Sequence, residues 1–281
     1  MNKTKSKEIP WFQIFKYLVY GLLALDVYMF FVEEFSATSF RFAKGLNLSE
    51  IIVAYSGTID TAAWVILLIV FELETYIIDD DKLKGGLKWF LNILSFLSYT
   101  VIVYSFYAYN QKLFWTYDFQ QIGDAADVCQ FIGQSWLEEL DHFVKITPDN
   151  CNALATSTEL WAIPDQNIVA DINSLTLTKR LALTDVLNSA AWLLVVIVLE
   201  IDVWLQLKHK LKGGLYLANK IVKFFAYLLL LLAAIHWGYT GQILDFWDAF
   251  LWIVAFLFIE MNLFKWHEET EEEDAIKETL F

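Results

Sequence analysis

Residues 60–87 read Asp-Thr-Ala-Ala-Trp-Val-Ile-Leu-Leu-Ile-Val-Phe-Glu-Leu-Glu-Thr-Tyr-Ile-Ile-Asp-Asp-Asp-Lys-Leu-Lys-Gly-Gly-Leu, and the chain repeats this stretch at 188–215 without a gap. Twelve of the 28 aligned positions are identical, among them Trp64/Trp192, Glu72/Glu200 and the whole of Lys82 to Leu87 against Lys210 to Leu215. The correspondence runs on through Ile93/Ile221, Phe96/Phe224 and Tyr99/Tyr227. A fainter third copy places Asp248, Trp252 and Glu260 at the spacing of Asp60, Trp64 and Glu72. The shared pattern is Asp or Asn, three residues, Trp, seven residues, Glu.

Between the polar ends of each copy lie 11 apolar residues, 61–71, 189–199 and 249–259. As helix these cover roughly 16 Å, against about 30 Å of bilayer hydrocarbon. One or both acid layers must therefore sit inside the membrane, where a carboxylate costs a few kcal/mol and turns to a bundle interior or a wet cavity. The pattern singles out Asp60, Glu72, Glu74, Asn188, Glu200, Asp202, Asp248 and Glu260 as candidate pathway residues, with Asp26 in the first span beside them. Asp26 has two readings: a pathway acid, or a hydrated group near the outer interface just before Glu33 and Glu34.

The rest of the chain defines the class. It has 281 residues, 57% of them hydrophobic, with a mean hydropathy of +0.45 and long continuous apolar runs. Only helices and closed barrels span bilayers, and continuous runs mean helices. We expect an all-α polytopic membrane protein with six spans at about 11–32, 54–78, 88–109, 183–206, 216–238 and 243–264. They are built from repeated helix hairpins, which a third copy would arrange in pseudo-threefold order. The organisation is 1–110 for spans 1–3, 111–182 as an extracytoplasmic insertion, 183–264 for spans 4–6 and 265–281 as an acidic tail. With the N-terminus cytoplasmic, 14 of the 20 Lys and Arg fall on that side, as the positive-inside rule asks. Both termini are then cytoplasmic and 111–182 lies outside a plasma or bacterial inner membrane.

Cys129 and Cys151, the two cysteines, both fall in the outer insertion, where a disulfide is permitted. Val128, Phe131, Ile132, Trp136, Leu140 and Phe143 recur at helical steps, so Asp124 to Ile146 reads as an amphipathic helix within loops and short helices. Ser95, Ser98, Ser105 and Tyr109 form a stripe in span 3, which either lines a cavity or joins helices. Asp185 and Asp245 are read as acids favoured electrostatically at helix starts. The net charge of −14 makes nucleic acid an unsuitable partner, and much of it lies in the tail from His267 to Glu278.

Membrane lipids are the first expected partner. A protein docking on 111–182 or on the acidic tail, and an oligomer of the chain, stay open. No metal ligand set or catalytic motif is apparent, and the four histidines do not pair for haem. The cofactor stays unknown, and we expect no enzyme. With no intramembrane Lys or Arg in view, the acids are protonated, hydrated or holding a cation. The leading expectation is a cation or proton pathway, channel-like or a relay. The alternative is a non-catalytic membrane subunit that binds lipid or a partner membrane protein.

Overall fold

The structure is a computed structural model that describes residues 10–42, 45–78, 82–124, 127–207 and 214–258. Its helices are α1 (Pro10–Arg41), α2 (Leu48–Ala54), α3 (Ser56–Glu72), α4 (Gly85–Trp115), α5 (Ile172–Leu207) and α6 (Gly214–Thr240). A further helix, α7, covers 243–258. Five helices among the described residues are long and apolar enough to cross a membrane: Gln13–Arg41, Ser56–Thr75, Gly85–Trp115, Ile172–Ile201 and Leu217–Thr240. Their outer faces carry exposed Phe31, Phe35, Phe96, Phe224, Phe225 and Leu232, the kind of apolar surface that lipid covers. The expected sixth span, 243–264, begins as α7, and its last residues lie outside the described part.

The bundle core gathers one face of α1, α3, α5, α6 and α7, with Ile102 of α4. Trp64, Trp192 and Trp252 meet at its centre, with ring centroids 6.1, 6.0 and 6.5 Å apart. Phe256 fills in beneath them, 4.5 Å from the Trp192 ring. Small side chains let the helices come this close. Thr61, Ser189 and Ala249, each one residue after the acid or amide of its copy, are all 5% exposed. Tight turns join the helices. Gly85, at φ +64, opens α4 after the Lys-Leu-Lys turn. Gly241, at φ +90, closes α6, and the Gln242 amide donates to the Trp237 carbonyl in a Schellman arrangement.

Residues 120–171 overturn the expectation of loops and an amphipathic helix. They form a five-stranded mixed sheet of β1 (Gln120–Asp124), β2 (Ser135–Glu139), β3 (His142–Lys145), β4 (Glu159–Ile163) and β5 (Ile168–Asp171), in the order β1-β4-β5-β2-β3. Both faces are covered. Leu137, Ile163, Ile168 and Ala170 pack on Trp115 and Leu175 of the helices, while Trp136, Leu160, Ala162 and Val169 pack under the Cys129–Cys151 disulfide loop. A strand buried on both faces loses the polar alternation that marks strands in sequence. Gly133 (φ +93) and Asp141 (φ +63) also break the supposed helix at both ends of β2.

Asp171 joins sheet to bundle. Its Oδ1 accepts the Ser174 amide as the N-cap of α5, and its Oδ2 accepts both donors of Thr156 and the Ser157 amide. Burial alone would raise its pKa, but these hydrogen bonds outweigh it and hold the carboxyl below its usual value. Replacing Asp171 with Ala is expected to cost about 2–4 kcal/mol, from a lost cap and stranded donors. A depressed folded pKa stabilises above the ordinary carboxylate range and stops doing so as pH falls through the folded value. The thermal-midpoint gap between wild type and D171A should therefore be wide at pH 7 and shrink toward pH 3; a gap independent of pH would contradict this role.

Candidate functional site

The helix ends nearest the sheet border a partly open cavity of about 80 Å³. Seven acids line it: Glu33 and Glu34 of α1, Asp60 of α3, Asp141 of the β2–β3 turn, Asp185 of α5, and Asp245 and Asp248 of α7. Its floor is the tryptophan trio. Above it, Leu140 and Asp141 at the hairpin tip reach down between the helix ends, and Leu140 packs with Leu181, Trp237 and Ala249.

Three of the seven acids have basic partners. Glu34 accepts the Gly57 and Thr58 amides at 2.8 and 3.0 Å and so caps α3, with Lys112 Nζ at 3.3 Å. Lys112 also holds Asp141 at 2.6 Å, and Arg41 stacks on Trp115 close enough to act on both carboxylates. Burial works against an ionised Asp141, but Lys112 and Arg41 prevail and lower its pKa. His142 bonds Glu33 at 3.0 Å, which raises the imidazole pKa. α1 and α4 extend beyond the expected spans, so Arg41 and Lys112 are buried helix residues. Glu34, expected in an outer loop, is buried with them. For the repeat acids, the expectation of no basic neighbour is corrected at Glu72, which Lys16 holds.

The remaining four are different. Asp60, Asp185, Asp245 and Asp248 have no basic side chain within salt-bridge distance among the described residues. Lys112 lines the same cavity and acts on Asp185 from beyond that distance, and three of the four have an uncharged donor beside them. Trp252 Nε1 donates to Asp248 Oδ1 at 3.1 Å, Tyr109 donates to Asp60 Oδ2 at 3.3 Å, and the indoles of Trp64 and Trp237 stand against Asp60 and Asp185. The Asp-x3-Trp spacing thus has a local cause, an indole one turn on that reaches back to the acid. Asp60 Oδ1, Asn188 Oδ1 and Gln242 Nε2 are buried on this cavity with no hydrogen-bond partner.

Asp185 was read as a helix-start acid. It lies well inside α5, which begins at Ile172, and with Asp245 it occupies the chamber wall at the position where the first copy has Gly57. The acid missing there comes from α1: a Cβ on Gly57 would stand 3.2 Å from Glu34 Oε1. Asp26 is 2% exposed; it lies near Asp248, and its Oδ2 is unpartnered. Ser98 and Ser105 are buried, while Tyr109 alone of that stripe lines the chamber.

Beneath the tryptophans is a second cavity of about 130 Å³, mainly apolar, which shares Trp64 and Trp252 with the first. Glu200 lies at its edge and accepts the Tyr99 hydroxyl at 3.0 Å. Of the other inner acids, Glu72 and Glu74 do not line it. Glu72 turns to α1, where Lys16 at 2.5 Å and Tyr17 at 3.2 Å hold it, and Glu74 sits half-buried in the π turn Leu73–Ile77. The Asp202 side chain and Glu260 lie outside the described residues. Among the described residues no three His, Cys, Asp or Glu side chains are grouped to hold a metal ion. No family model, curated protein or solved structure matches this chain.

Proposed function

We propose that this is a cation-handling membrane protein that receives its cargo in the acid-lined chamber and passes it inward across the tryptophan partition toward Glu200. The observation that carries this reading is the set of four aspartates on one cavity, none of them in salt-bridge contact with a basic side chain among the described residues, while Lys112 on the same wall is held by Glu34 and Asp141. Carboxylates so placed attract a cation or a proton to restore neutrality. The unpartnered oxygens of Asp60 and Asn188 are free to take it. The partition is closed in this structure, so passage requires the indoles to move.

The finer architecture belongs to the same proposal. We read three hairpins, α1 with α3, α4 with α5, and α6 with α7, making six spans about a pseudo-threefold axis. The meeting of Trp64, Trp192 and Trp252 and the matched burial of Thr61, Ser189 and Ala249 support this. Lysine placement supports cytoplasmic termini, and the disulfide supports an outer sheet in a plasma or bacterial inner membrane.

The test is reconstitution of the full chain in liposomes under imposed K⁺, Na⁺ or proton gradients and a membrane potential. Saturable, protein-dependent movement of at least one cation, with no chloride movement, is the expected result. Absence of both movement and cation binding under every gradient would refute the proposal.

A further inference from the structure

Building on the reading of the chamber as a cation site, we infer that its ligand is a small primary ammonium bearing a hydroxyl or similar hydrogen-bond acceptor, rather than a bare metal ion. Size is the first reason. A cavity of about 80 Å³ holds on the order of five water-sized atoms, more than one desolvated ion fills and far more than a proton needs. Ligand geometry is the second. A metal stripped of its water needs several oxygens around one point, and the described carboxylates are not grouped that way.

The walls supply the third reason. Three indoles form the floor, and an ammonium with its attached methylenes is attracted to such faces within about 6 Å. Asp60 Oδ1 and Asn188 Oδ1 are acceptors with no donor, which the N–H groups of a primary ammonium provide and a quaternary one lacks. Gln242, only 7% exposed, adds an unpartnered donor, Nε2, to the same cavity. A bare cation leaves that N–H unmet or repels it. A hydroxyl oxygen one or two carbons from the ammonium accepts it.

Such chemistry comes from a free amino alcohol or from the ethanolamine headgroup of a phospholipid. Isothermal titration of the full chain distinguishes the two. Nanodiscs of phosphatidylcholine and phosphatidylglycerol receive ethanolamine, ethylammonium, tetramethylammonium, Na⁺ or K⁺ as chlorides at matched ionic strength. Ethanolamine should bind about tenfold tighter than either alkali ion, with one cation–π contact and added hydrogen bonds as the source. Ethylammonium should bind several-fold more weakly than ethanolamine, and tetramethylammonium most weakly of the amines. Trp192→Leu should weaken ethanolamine about tenfold relative to Na⁺. Gln242→Met should close the gap between ethanolamine and ethylammonium. That ratio is read within one preparation, so it serves if W192L does not fold.

Adding phosphatidylethanolamine to the nanodiscs identifies the source: lost ethanolamine binding marks the headgroup, and unchanged binding marks the free amine. Alkali ions binding as tightly as ethanolamine, or a ratio unmoved in Q242M, would overturn the inference. If alkali ions or protons bind and cross but no amine binds, the ammonium assignment falls and the cation reading stands. If no cation of either kind binds or crosses, both fall.

Discussion

Lys112→Met is expected to destabilise the protein by about 3–5 kcal/mol, the largest single-residue effect in the half of the bundle nearest the sheet. Lys112 is 3% exposed and bridges Glu34 and Asp141. Methionine keeps the length of the side chain and removes its charge. Two buried carboxylates then face each other with Arg41 as their nearest counter-charge. Attraction within such a buried group does little more than offset desolvation while it is complete, so the penalty appears when one partner is removed. The loss also has a direction. Asp141 is the tip of the β2–β3 hairpin and Glu34 is the cap of α3, so the sheet should loosen from the helix ends before the helices part. Hydrogen exchange should rise first at β2 and β3, and the thermal midpoint should fall in detergent. Adding Glu34→Gln and Asp141→Asn to K112M should recover much of the loss, because the stranded charges disappear with their partner. A K112M protein as stable as wild type would mean that Arg41 suffices and that the bridge is incidental.

Why Lys112 escaped the sequence reading shows what short-range patterns carry. The motif residues were legible because an acid or amide, its tryptophan and the small residue between them are related within one or two helical turns. That locality singled out Asp60, Asn188 and Asp248, which the fold brings to one chamber. Glu34, Tyr109, Lys112, Asp141 and Gln242 come to the chamber from separate elements, and nothing in their local sequence announces it. Glu34 is instructive, since its carboxylate fills the place opened by Gly57, 23 residues away.

Asp185 was misread because 172–182 carries Asn173, Thr176, Lys179 and Arg180 and looks like a loop, so the start of α5 was put 11 residues late. Lys16, one of the 14 basic residues counted on the cytoplasmic side, is buried against Glu72. The sheet was hidden by its covering on both faces. The amphipathic period that seemed to mark a helix was residues of two opposite faces read as one.

Neutralising the chamber and opening its floor should change cation passage in opposite directions. Asp60→Asn with Asp248→Asn removes the two motif carboxylates while keeping their shape and the capacity to accept from Tyr109 and Trp252. Because no basic residue pairs with either, no buried counter-charge is stranded, and folding should survive where K112M does not. Cation flux in liposomes should fall at least a hundredfold, since a low-dielectric chamber without its charges no longer repays the dehydration of the ion. Trp252→Ala acts on the other element. Its ring borders both cavities, so its removal joins the 80 and 130 Å³ spaces into one. Packing should lose about 3–5 kcal/mol, and resting cation leak should rise at least tenfold.

The triple variant discriminates. If acids select what the tryptophans gate, D60N/D248N in the W252A background should abolish the leak. A leak that persists there, or that passes chloride as readily, would show that the opened floor admits ions without regard to charge, and the aspartates would lose their role as a selectivity site.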